Sequence, residues 1–342
     1  MSKPFRAVQI GAGAFAHTFT GPTLHRLSQV QNPQISLEAI CDLDLERALA
    51  FSREFGFEKA YTDFQRMIEE TQPDLVYCMV QPYATAGVLE RVFPYRLPIF
   101  TEKPPGISIE QAERLAGLAA EHGMVNYVAF NRRRMPGLQH LRHWANANAP
   151  IRYVRAEMLR NRRLEADFAI GTAIHPLDYL RHLGGEVVEL QTRCQPYAGT
   201  QAKDFLVRLY FSSGLVADLA VLVNCGMLRE RYLVQVENSS MEVTIGTGYT
   251  SDFFATGEVV YRNNLVILEK PGDQDPLIAG GFMAEHEAFL DSVRRGANPD
   301  CCLQHVHQSL KLAVAVQQEY SGAFKDFSPR SNSPSQRFPP SF

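Results

Sequence analysis

A lysine directly before a proline is the residue best placed to do chemistry in this chain. Lys103 stands between Glu102 and Pro104, just after the apolar run 97–100. Because Pro104 disfavours the helical region for the residue before it, we expect Lys103 on extended chain at the carboxyl end of a strand. In open α/β sheets, ligands bind in the crevice beyond the carboxyl ends of the strands. The sequence therefore predicts a cation at a cofactor site.

A glycine-rich turn near the amino terminus predicts a dinucleotide site. Gly11 allows a tight turn after a predicted strand, Gly13 lets the backbone approach a pyrophosphate, and Ala16 is small enough for close helix–strand packing. The helix that follows would offer amide groups and a positive dipole to the phosphates. The alternative is a glycine-rich turn without a ligand. The predicted cofactor-binding residues of this turn are Gly11, Gly13, Ala14, Phe15 and Ala16.

An acidic residue at the end of the second predicted strand favours NAD over NADP. Asp42 could accept hydrogen bonds from the adenosine ribose hydroxyls, and its carboxylate would repel a 2′-phosphate. The next residues, Leu43 and Asp44, offer no cation to bind that phosphate instead. Asp42 could alternatively cap a loop, although Asp44 is better placed for that role. We therefore expect NAD, with NADP the less favoured cofactor.

The elements that would position these residues alternate regularly over the first 125 residues. Short apolar strands alternate with amphipathic helices, several of which begin at a capping residue such as Asp44, Asp63 or Ser108. This alternation predicts an α/β fold over 1–128, a Rossmann domain with a doubly wound parallel sheet and crossover helices.

The pattern changes in the following segment, 129–325. Strand-like runs joined by short turns predict a second α/β domain with a large, mostly antiparallel open sheet. Helical patterns return at 283–294 and 303–320. The last segment, 326–342, is rich in Ser and Pro and is predicted to be a disordered tail. The predicted strands of the second sheet are 152–159, 187–194, 205–211, 216–223, 232–237, 241–245, 258–262 and 265–269.

Taken together, these features resemble the Gfo/Idh/MocA family of oxidoreductases over nearly the whole chain. The resemblance rests on the order and spacing of 11–16, Asp42, 102–104, 130–133 and 173–178. It implies a nucleotide-binding domain followed by a domain whose open sheet often forms a dimer or tetramer interface. It also implies a sugar or polyol substrate. At the cofactor it implies contacts from Gln81, Pro82, Glu102 and Lys103.

The resemblance implies catalytic roles for Lys103 and His175, but the chain departs from the family pattern in two places. Members often carry an aspartate four residues before this histidine, where the chain has Gly171. The segment 81–86 also lacks the histidine that many members have shortly after its proline. The expected pairing of a histidine with an acid is therefore incomplete in the sequence.

Oxidation of a carbinol needs a base that removes the hydroxyl proton as the hydride leaves. Lys103 could bind the reacting hydroxyl, and burial beside a cationic ring would lower its pKa. His175 has an ordinary pKa near neutrality but needs an orienting carboxylate. Asp178, three residues on along a predicted helix, or Asp167 in the preceding loop could provide one. The alternatives are a structural hydrogen bond for His175 and a surface position for Lys103.

Two clusters of arginine follow predicted strands, at 132–134 and 160–163. Guanidinium groups bind carboxylate or phosphate through parallel hydrogen bonds, so an acidic sugar or a phosphorylated polyol is one hypothesis for the substrate. Solvated charges that pair with nearby acids are an equally good interpretation. The predicted substrate-binding residues are Lys103, Asn131, Arg133, Arg162 and His175.

Composition argues against several classes of function. The 342 residues carry a net charge of −3, which gives no electrostatic basis for binding nucleic acid or a membrane surface. Apolar runs fall short of a membrane span, and we expect no signal peptide. The six cysteines and ten histidines show no metal-ligand spacing, so we expect reduced thiols and no metal. The expectation is a cytoplasmic homodimer or homotetramer.

One main hypothesis and two alternatives follow. We expect an NAD(P)-dependent dehydrogenase or reductase that transfers a hydride between nicotinamide and a CH–OH or carbonyl carbon of a sugar, sugar acid or polyol. A non-catalytic dinucleotide-binding regulator is the first alternative, since Gly171 removes the expected acid. The second is a hydrolase or lyase that uses bound NAD for transient oxidation.

Overall fold

The first of two sheets is parallel. The computed structural model describes residues 3–148, 150–245, 257–262, 265–271 and 275–330. The strands of the first sheet are β1 (Phe5–Ile10), β2 (Ile35–Cys41), β3 (Lys59–Tyr61), β4 (Leu75–Cys78), β5 (Ile99–Thr101) and β6 (Asn126–Val128). They pair in parallel in the order β3-β2-β1-β4-β5-β6, so the predicted doubly wound sheet is confirmed.

Helices connect these strands, and their starts follow the predicted caps. The Asp44 carboxylate accepts hydrogen bonds from the amides of Glu46 and Arg47 at the start of the second helix. Ser108 accepts from the amide of Gln111 at the start of the fifth. Local sequence therefore determines where the crossovers begin. The helices are α1 (Gly21–Gln29), α2 (Leu45–Phe55), α3 (Phe64–Thr71), α4 (Pro82–Val92) and α5 (Ile109–His122).

The second sheet is mostly antiparallel, as predicted. Its strands are β7 (Tyr153–Leu159), β8 (Val187–Pro196), β9 (Lys203–Phe211), β10 (Val216–Leu222), β11 (Arg229–Val236), β12 (Ser239–Ile245), β13 (Gly257–Arg262), β14 (Leu265–Pro271) and β15 (Gly322–Ala323). They pair in the order β14-β13-β12-β11-β7-β10-β9-β8-β15. Among these pairs β7 and β10 run parallel, and the others are antiparallel. The remaining helices are α6 (Pro136–Ala147), α7 (Ile174–Gly184), α8 (Pro276–Ala279), α9 (Phe282–Arg295) and α10 (Leu303–Gln317).

The chain returns to the first sheet through α9 and α10. The ring centroid of His286 in α9 lies 5.4 Å from that of Tyr77 and 4.5 Å from that of Phe100. Just before α10, the carbonyl of Cys301 accepts a hydrogen bond of 2.8 Å from the amide of Val128. Both helices belong to the predicted second domain, yet they complete the core of the first.

Short elements and the chain end differ from the predictions. The strands β3 and β15 are too short to show an alternating pattern, and neither they nor α6 is predicted. Phe327 is buried and packs on Tyr320 with ring centroids 5.0 Å apart, so the predicted tail does not begin at 326. Residues 331–342 of that tail lie outside the described part of the chain. In the described part, no helix combines the length and apolarity needed to cross a membrane.

Candidate active site

The glycine-rich turn after β1 leaves room for a dinucleotide. Gly11 has a φ of +100°, and a Cβ there would lie 2.4 Å from the main-chain oxygen of Met79. At Gly13 a Cβ would meet nothing within 4 Å among the described residues. A helix, called the fingerprint helix below, begins at Ala14, and its first amides have no intrahelical acceptor. Ala16 is buried at the start of a π-helical turn in this helix. Open space beside amides that have no intrahelical acceptor fits a pyrophosphate.

Asp42 lies beside this turn at the end of β2. Its Oδ2 accepts a hydrogen bond of 2.8 Å from the amide of Ala12, and its Oδ1 accepts one of 2.6 Å from Nη2 of Arg47. Burial by itself would raise the pKa of Asp42, but Arg47 and the amides outweigh burial and lower it. Leu43 and Asp44 offer no cation, as expected, but Arg47 reaches back to Asp42 from the first turn of α2. The sequence signal is its position one helical turn beyond the Asp44 cap.

Gln81 and Pro82 begin α4 at the end of β4. Gln81 is exposed and makes no capping hydrogen bond with its side chain, and Pro82 is the first residue of the helix. The preceding Met79 donates its amide to the carbonyl of Ile10 at 2.7 Å. The start of α4 therefore lies next to the glycine-rich turn.

Lys103 follows β5 and projects toward the second domain. Its Nζ donates a hydrogen bond of 2.7 Å to the carbonyl oxygen of Gly171, and the peptide bond to Pro104 is cis. Burial lowers the pKa of Lys103; the Glu102 carboxylate opposes this effect, and Arg132 reinforces it. Glu102 accepts a hydrogen bond of 3.2 Å from the Lys103 amide, and burial raises the pKa of this carboxyl.

His175 lies in the first turn of α7 with its ring buried. Its Nδ1 has no hydrogen-bond partner among the described residues, and the ring meets Phe130 edge-on at 6.1 Å between centroids. The pKa of His175 lies well below its ordinary value because the ring is buried and faces the cations Arg132 and Lys103. A neutral imidazole can accept a proton or a hydrogen bond.

The predicted carboxylate partners of His175 do not bind it. Both oxygens of Asp178 accept hydrogen bonds of 2.7 Å from Arg133, and Oδ1 also accepts one of 2.6 Å from Ser309. The predicted pairing of Asp178 with His175 is therefore wrong, because the buried carboxylate of Asp178 is already paired with Arg133 and Ser309. Asp167 lines the cavity, and its main-chain oxygen accepts the Gly171 amide at 2.9 Å.

The arginines predicted to bind substrate are not those that face the cavity. Arg133 is buried and forms a salt bridge with Asp178. Arg162 is exposed, has a φ of +53° and does not line the cavity. Neither residue lines the cavity as expected, because neighbouring side chains of one turn point in different directions. The arginines that line the cavity are Arg132, Arg160 and Arg163.

Two of these arginines share one buried carboxylate. Arg132 Nη2 lies 3.1 Å and Arg160 Nη2 lies 2.6 Å from Oε2 of Glu230, and the Tyr232 hydroxyl donates to Oε1 at 2.7 Å. Burial alone would raise the pKa of Glu230, but the two arginines outweigh burial and hold it at about 2. Asn131 is buried beside them and accepts a hydrogen bond of 3.0 Å from Nη1 of Arg132.

These side chains meet in a cavity of about 520 Å³ between the domains. One wall is aromatic: Phe19 stacks on Phe282 at 4.3 Å between ring centroids, and Phe15 lies 5.1 Å from Phe19. Glu285 also lines the cavity and is a residue that the sequence does not single out, because a glutamate in the first turn of a helix usually faces solvent. The cavity is also lined by Glu102, Lys103, Asn131, Arg132, Arg160, Arg163, Asp167, Gly171 and His175.

The arrangement can hold a proton beside a bound dinucleotide. The lysine and the neutral imidazole face the same space as the fingerprint helix, and both can exchange hydrogen bonds with a hydroxyl. In the described ranges, no group of three or more His, Cys, Asp or Glu residues could hold a metal ion.

Several curated proteins similar in sequence are dehydrogenases. The chain is 23% identical to the myo-inositol 2-dehydrogenase of Thermotoga maritima over 319 residues, which are 86% of this chain and 92% of that protein. It is 28% identical to the D-glucoside 3-dehydrogenase of Escherichia coli over 41% of this chain and 39% of that protein. The D-glucoside 3-dehydrogenase is one of three curated relatives that are matched over only 35–39% of their length. The chain therefore spans about two fifths of each of these three proteins.

Solved structures and family models agree with the fold. A putative NADPH-dependent oxidoreductase from Desulfitobacterium hafniense has a TM-score of 0.83 at 14% identity, covering 95% of this chain and 99% of that one. The model described as the NAD-binding Rossmann fold of an oxidoreductase family matches residues 5–130. The model of its C-terminal α/β domain matches residues 160–322. The chain therefore belongs to the Gfo/Idh/MocA oxidoreductase family.

Proposed function

We propose that the chain is a nicotinamide-dependent oxidoreductase that acts on a CH–OH or carbonyl carbon of a sugar, sugar acid or polyol. The observation that best supports this proposal is the meeting of Lys103, His175 and the fingerprint helix in one cavity. A lysine of lowered pKa and a neutral imidazole can move a hydroxyl proton, which is what the protein must supply. A nicotinamide ring, when bound, supplies the hydride chemistry.

In this proposal Lys103 binds the reacting hydroxyl and holds or releases its proton at Nζ, which the Gly171 carbonyl orients. His175 accepts a second hydrogen bond from the substrate through a ring nitrogen. The cofactor would be held by the glycine-rich turn, by Asp42 at the adenosine ribose, and by the neighbouring residues Gln81, Pro82 and Glu102.

Turnover on a panel of sugars, sugar acids and polyols tests the proposal. We expect at least one substrate to change the NADH absorbance, and Lys103→Met to abolish that change. The non-catalytic regulator remains a second candidate because, among the described residues, no carboxylate binds His175. Tight NAD binding without turnover of any panel member would favour the regulator. Exchange of solvent deuterium into substrate without net NADH would favour the hydrolase or lyase.

We propose NAD as the preferred cofactor, because Asp42 lies beside the glycine-rich turn as an ionised carboxylate. Arg47 could bind a 2′-phosphate once released from Asp42, and the similar Desulfitobacterium protein is described as NADPH-dependent. NADP therefore remains the alternative. Asp42→Ala should lower kcat/KM for NAD and raise it for NADP. An unchanged ratio of the two would contradict the proposed role of Asp42.

We also propose that the open face of the second sheet forms a homodimer or homotetramer interface. This face has a concave region of about 510 Å³ that includes the exposed Leu206 as well as Tyr153, Arg155, Arg208 and Asp218. Light scattering on the wild type and on Leu206→Glu tests this assignment. A monomeric wild type would contradict it.

A further inference from the structure

Glu285 places a buried carboxyl group in the cavity wall. Its side chain is 1% exposed, and its Oε2 has no hydrogen-bond partner among the described residues. It lies in the first turn of α9, where Phe282 stacks on Phe19 of the fingerprint helix. A buried polar atom without a partner costs free energy, so a group of this kind at a cavity suggests a ligand contact.

The surroundings of Glu285 favour its neutral, protonated form. The Glu102 carboxyl at the end of β5 acts on it electrostatically, as do Arg132 and Arg134 from the turn after β6. Burial and then Glu102 raise the pKa of Glu285 well above its ordinary value, and the two arginines do not reverse this. The neutral acid offers one O–H donor and one C=O acceptor, the pair that a primary amide complements.

We propose that the undissociated carboxyl of Glu285 binds the carboxamide of the nicotinamide ring through a donor and an acceptor. The pyrophosphate would lie at Gly13, and Phe15 and Phe19 follow on the same helix, so the cofactor end of the cavity is the wall that holds Glu285. Lys103 and His175 line the same cavity. This inference rests on the proposed binding of a nicotinamide dinucleotide. The carboxamide of its ring offers an NH₂ donor and a C=O acceptor side by side.

Three ligands separate the carboxamide from the rest of the cofactor. ADP-ribose lacks the nicotinamide ring, and 3-acetylpyridine adenine dinucleotide keeps the carbonyl but replaces the amide NH₂ with a methyl group. Titration calorimetry would measure their Kd values, with that of NAD⁺, on the wild type and on Glu285→Ala and Glu285→Gln. Glu287→Ala is the matched control, since Glu287 is exposed on the same helix.

The expected result is a loss specific to the carboxamide. Glu285→Ala should weaken NAD⁺ roughly tenfold and leave ADP-ribose unchanged, because only the ring contact is removed. Glu285→Gln, which keeps a donor and an acceptor, should bind NAD⁺ like the wild type. The wild type should bind the acetylpyridine analogue more weakly than NAD⁺, and Glu285→Ala should bind the two equally. Glu287→Ala should match the wild type with every ligand.

Three results would overturn the inference. Equal losses for NAD⁺ and ADP-ribose in Glu285→Ala would indicate a structural role. A Glu285→Gln loss as large as that of Glu285→Ala would mean that the carboxylate charge, not the neutral acid, is needed. A wild type that binds neither NAD⁺ nor ADP-ribose would reject the inference together with the proposed function, whereas the first two results leave the proposed function intact.

Discussion

The ammonium group of Lys103 donates a hydrogen bond of 2.7 Å to the carbonyl oxygen of Gly171. This carbonyl belongs to a π-helical turn, Ala169–Ala173, that leads directly into the helix of His175. The family resemblance leads us to expect a carboxylate at position 171, but the contact to the lysine comes from the main chain. A neutral oxygen orients the amine without the full stabilisation that an anion gives to its charged form.

Restoring a carboxylate at position 171 should shift the pH profile. A Cβ at Gly171 would meet nothing within 4 Å among the described residues, so Gly171→Asp should fold normally. The new anion favours the protonated lysine and should raise the pKa of Lys103. Oxidation needs the free amine of Lys103, so kcat/KM should rise as the pH passes this pKa. In Gly171→Asp that rise should therefore occur at higher pH. Gly171→Asn is the uncharged control, and an equal shift in that variant would rule out the electrostatic explanation.

Replacement of Lys103 should remove the chemistry and retain the cofactor. Burial disfavours the charged lysine, so its pKa lies below the ordinary value, and the free amine forms as the pH rises through that lowered pKa. Oxidation needs this amine as base, so kcat/KM should increase with pH in the wild type. Lys103→Met should lose about 10²- to 10⁴-fold in kcat and lose this pH limb. Its Kd for NAD should stay within about threefold of the wild type. Steady-state kinetics and calorimetry measure these quantities, and a retained pH limb would assign the base elsewhere.

The sequence predicts the frame of this site better than its side-chain contacts. The cap at Asp44 and the glycine turn at Gly13 depend on local residue type, and the parallel topology brings the end of β5 to the cofactor edge. Contacts between distant segments are different. Nothing in the run 132–134 indicates which arginine faces the cavity. The helical spacing of Asp178 from His175 does not reveal that Asp178 pairs with Arg133 instead of His175.

The salt bridge between Arg133 and Asp178 should contribute to the stability of the fold and not to catalysis. Both side chains are buried, and removing one partner leaves an uncompensated charge. Asp178→Ala should therefore lower the free energy of unfolding by about 3–5 kcal/mol, measured by urea denaturation. The double variant Arg133→Met with Asp178→Leu should recover part of the loss, because no lone charge remains buried. A stable Asp178→Ala protein with a large loss of kcat would instead restore the catalytic role expected from the sequence.

The two glycines of the turn should respond differently to alanine. Gly11→Ala should destabilise the fold by about 1–3 kcal/mol or more. The φ of Gly11 is positive, in a region that alanine rarely adopts, and the new Cβ would overlap the Met79 carbonyl. Gly13→Ala should change the stability by less than about 0.5 kcal/mol and still weaken NAD binding roughly tenfold, since its methyl group enters the pyrophosphate space. Thermal unfolding and NAD titration separate the two effects. Unchanged NAD affinity in a folded Gly13→Ala protein would contradict the proposed cofactor position.

The arginines of the cavity should favour an acidic substrate. Arg132 and Arg160 are buried and share the single carboxylate of Glu230, so one positive charge of this group is not neutralised. A substrate carboxylate or phosphate would compensate it. Arg132→Gln should therefore lower kcat/KM roughly tenfold or more for an acid such as D-galacturonate, and much less for its neutral counterpart D-galactose. The exposed Arg162→Gln is the matched control for a change of net charge. Equal losses on both sugars would assign Arg132 a structural role, and a wild type that prefers the neutral sugar would reject the acidic substrate.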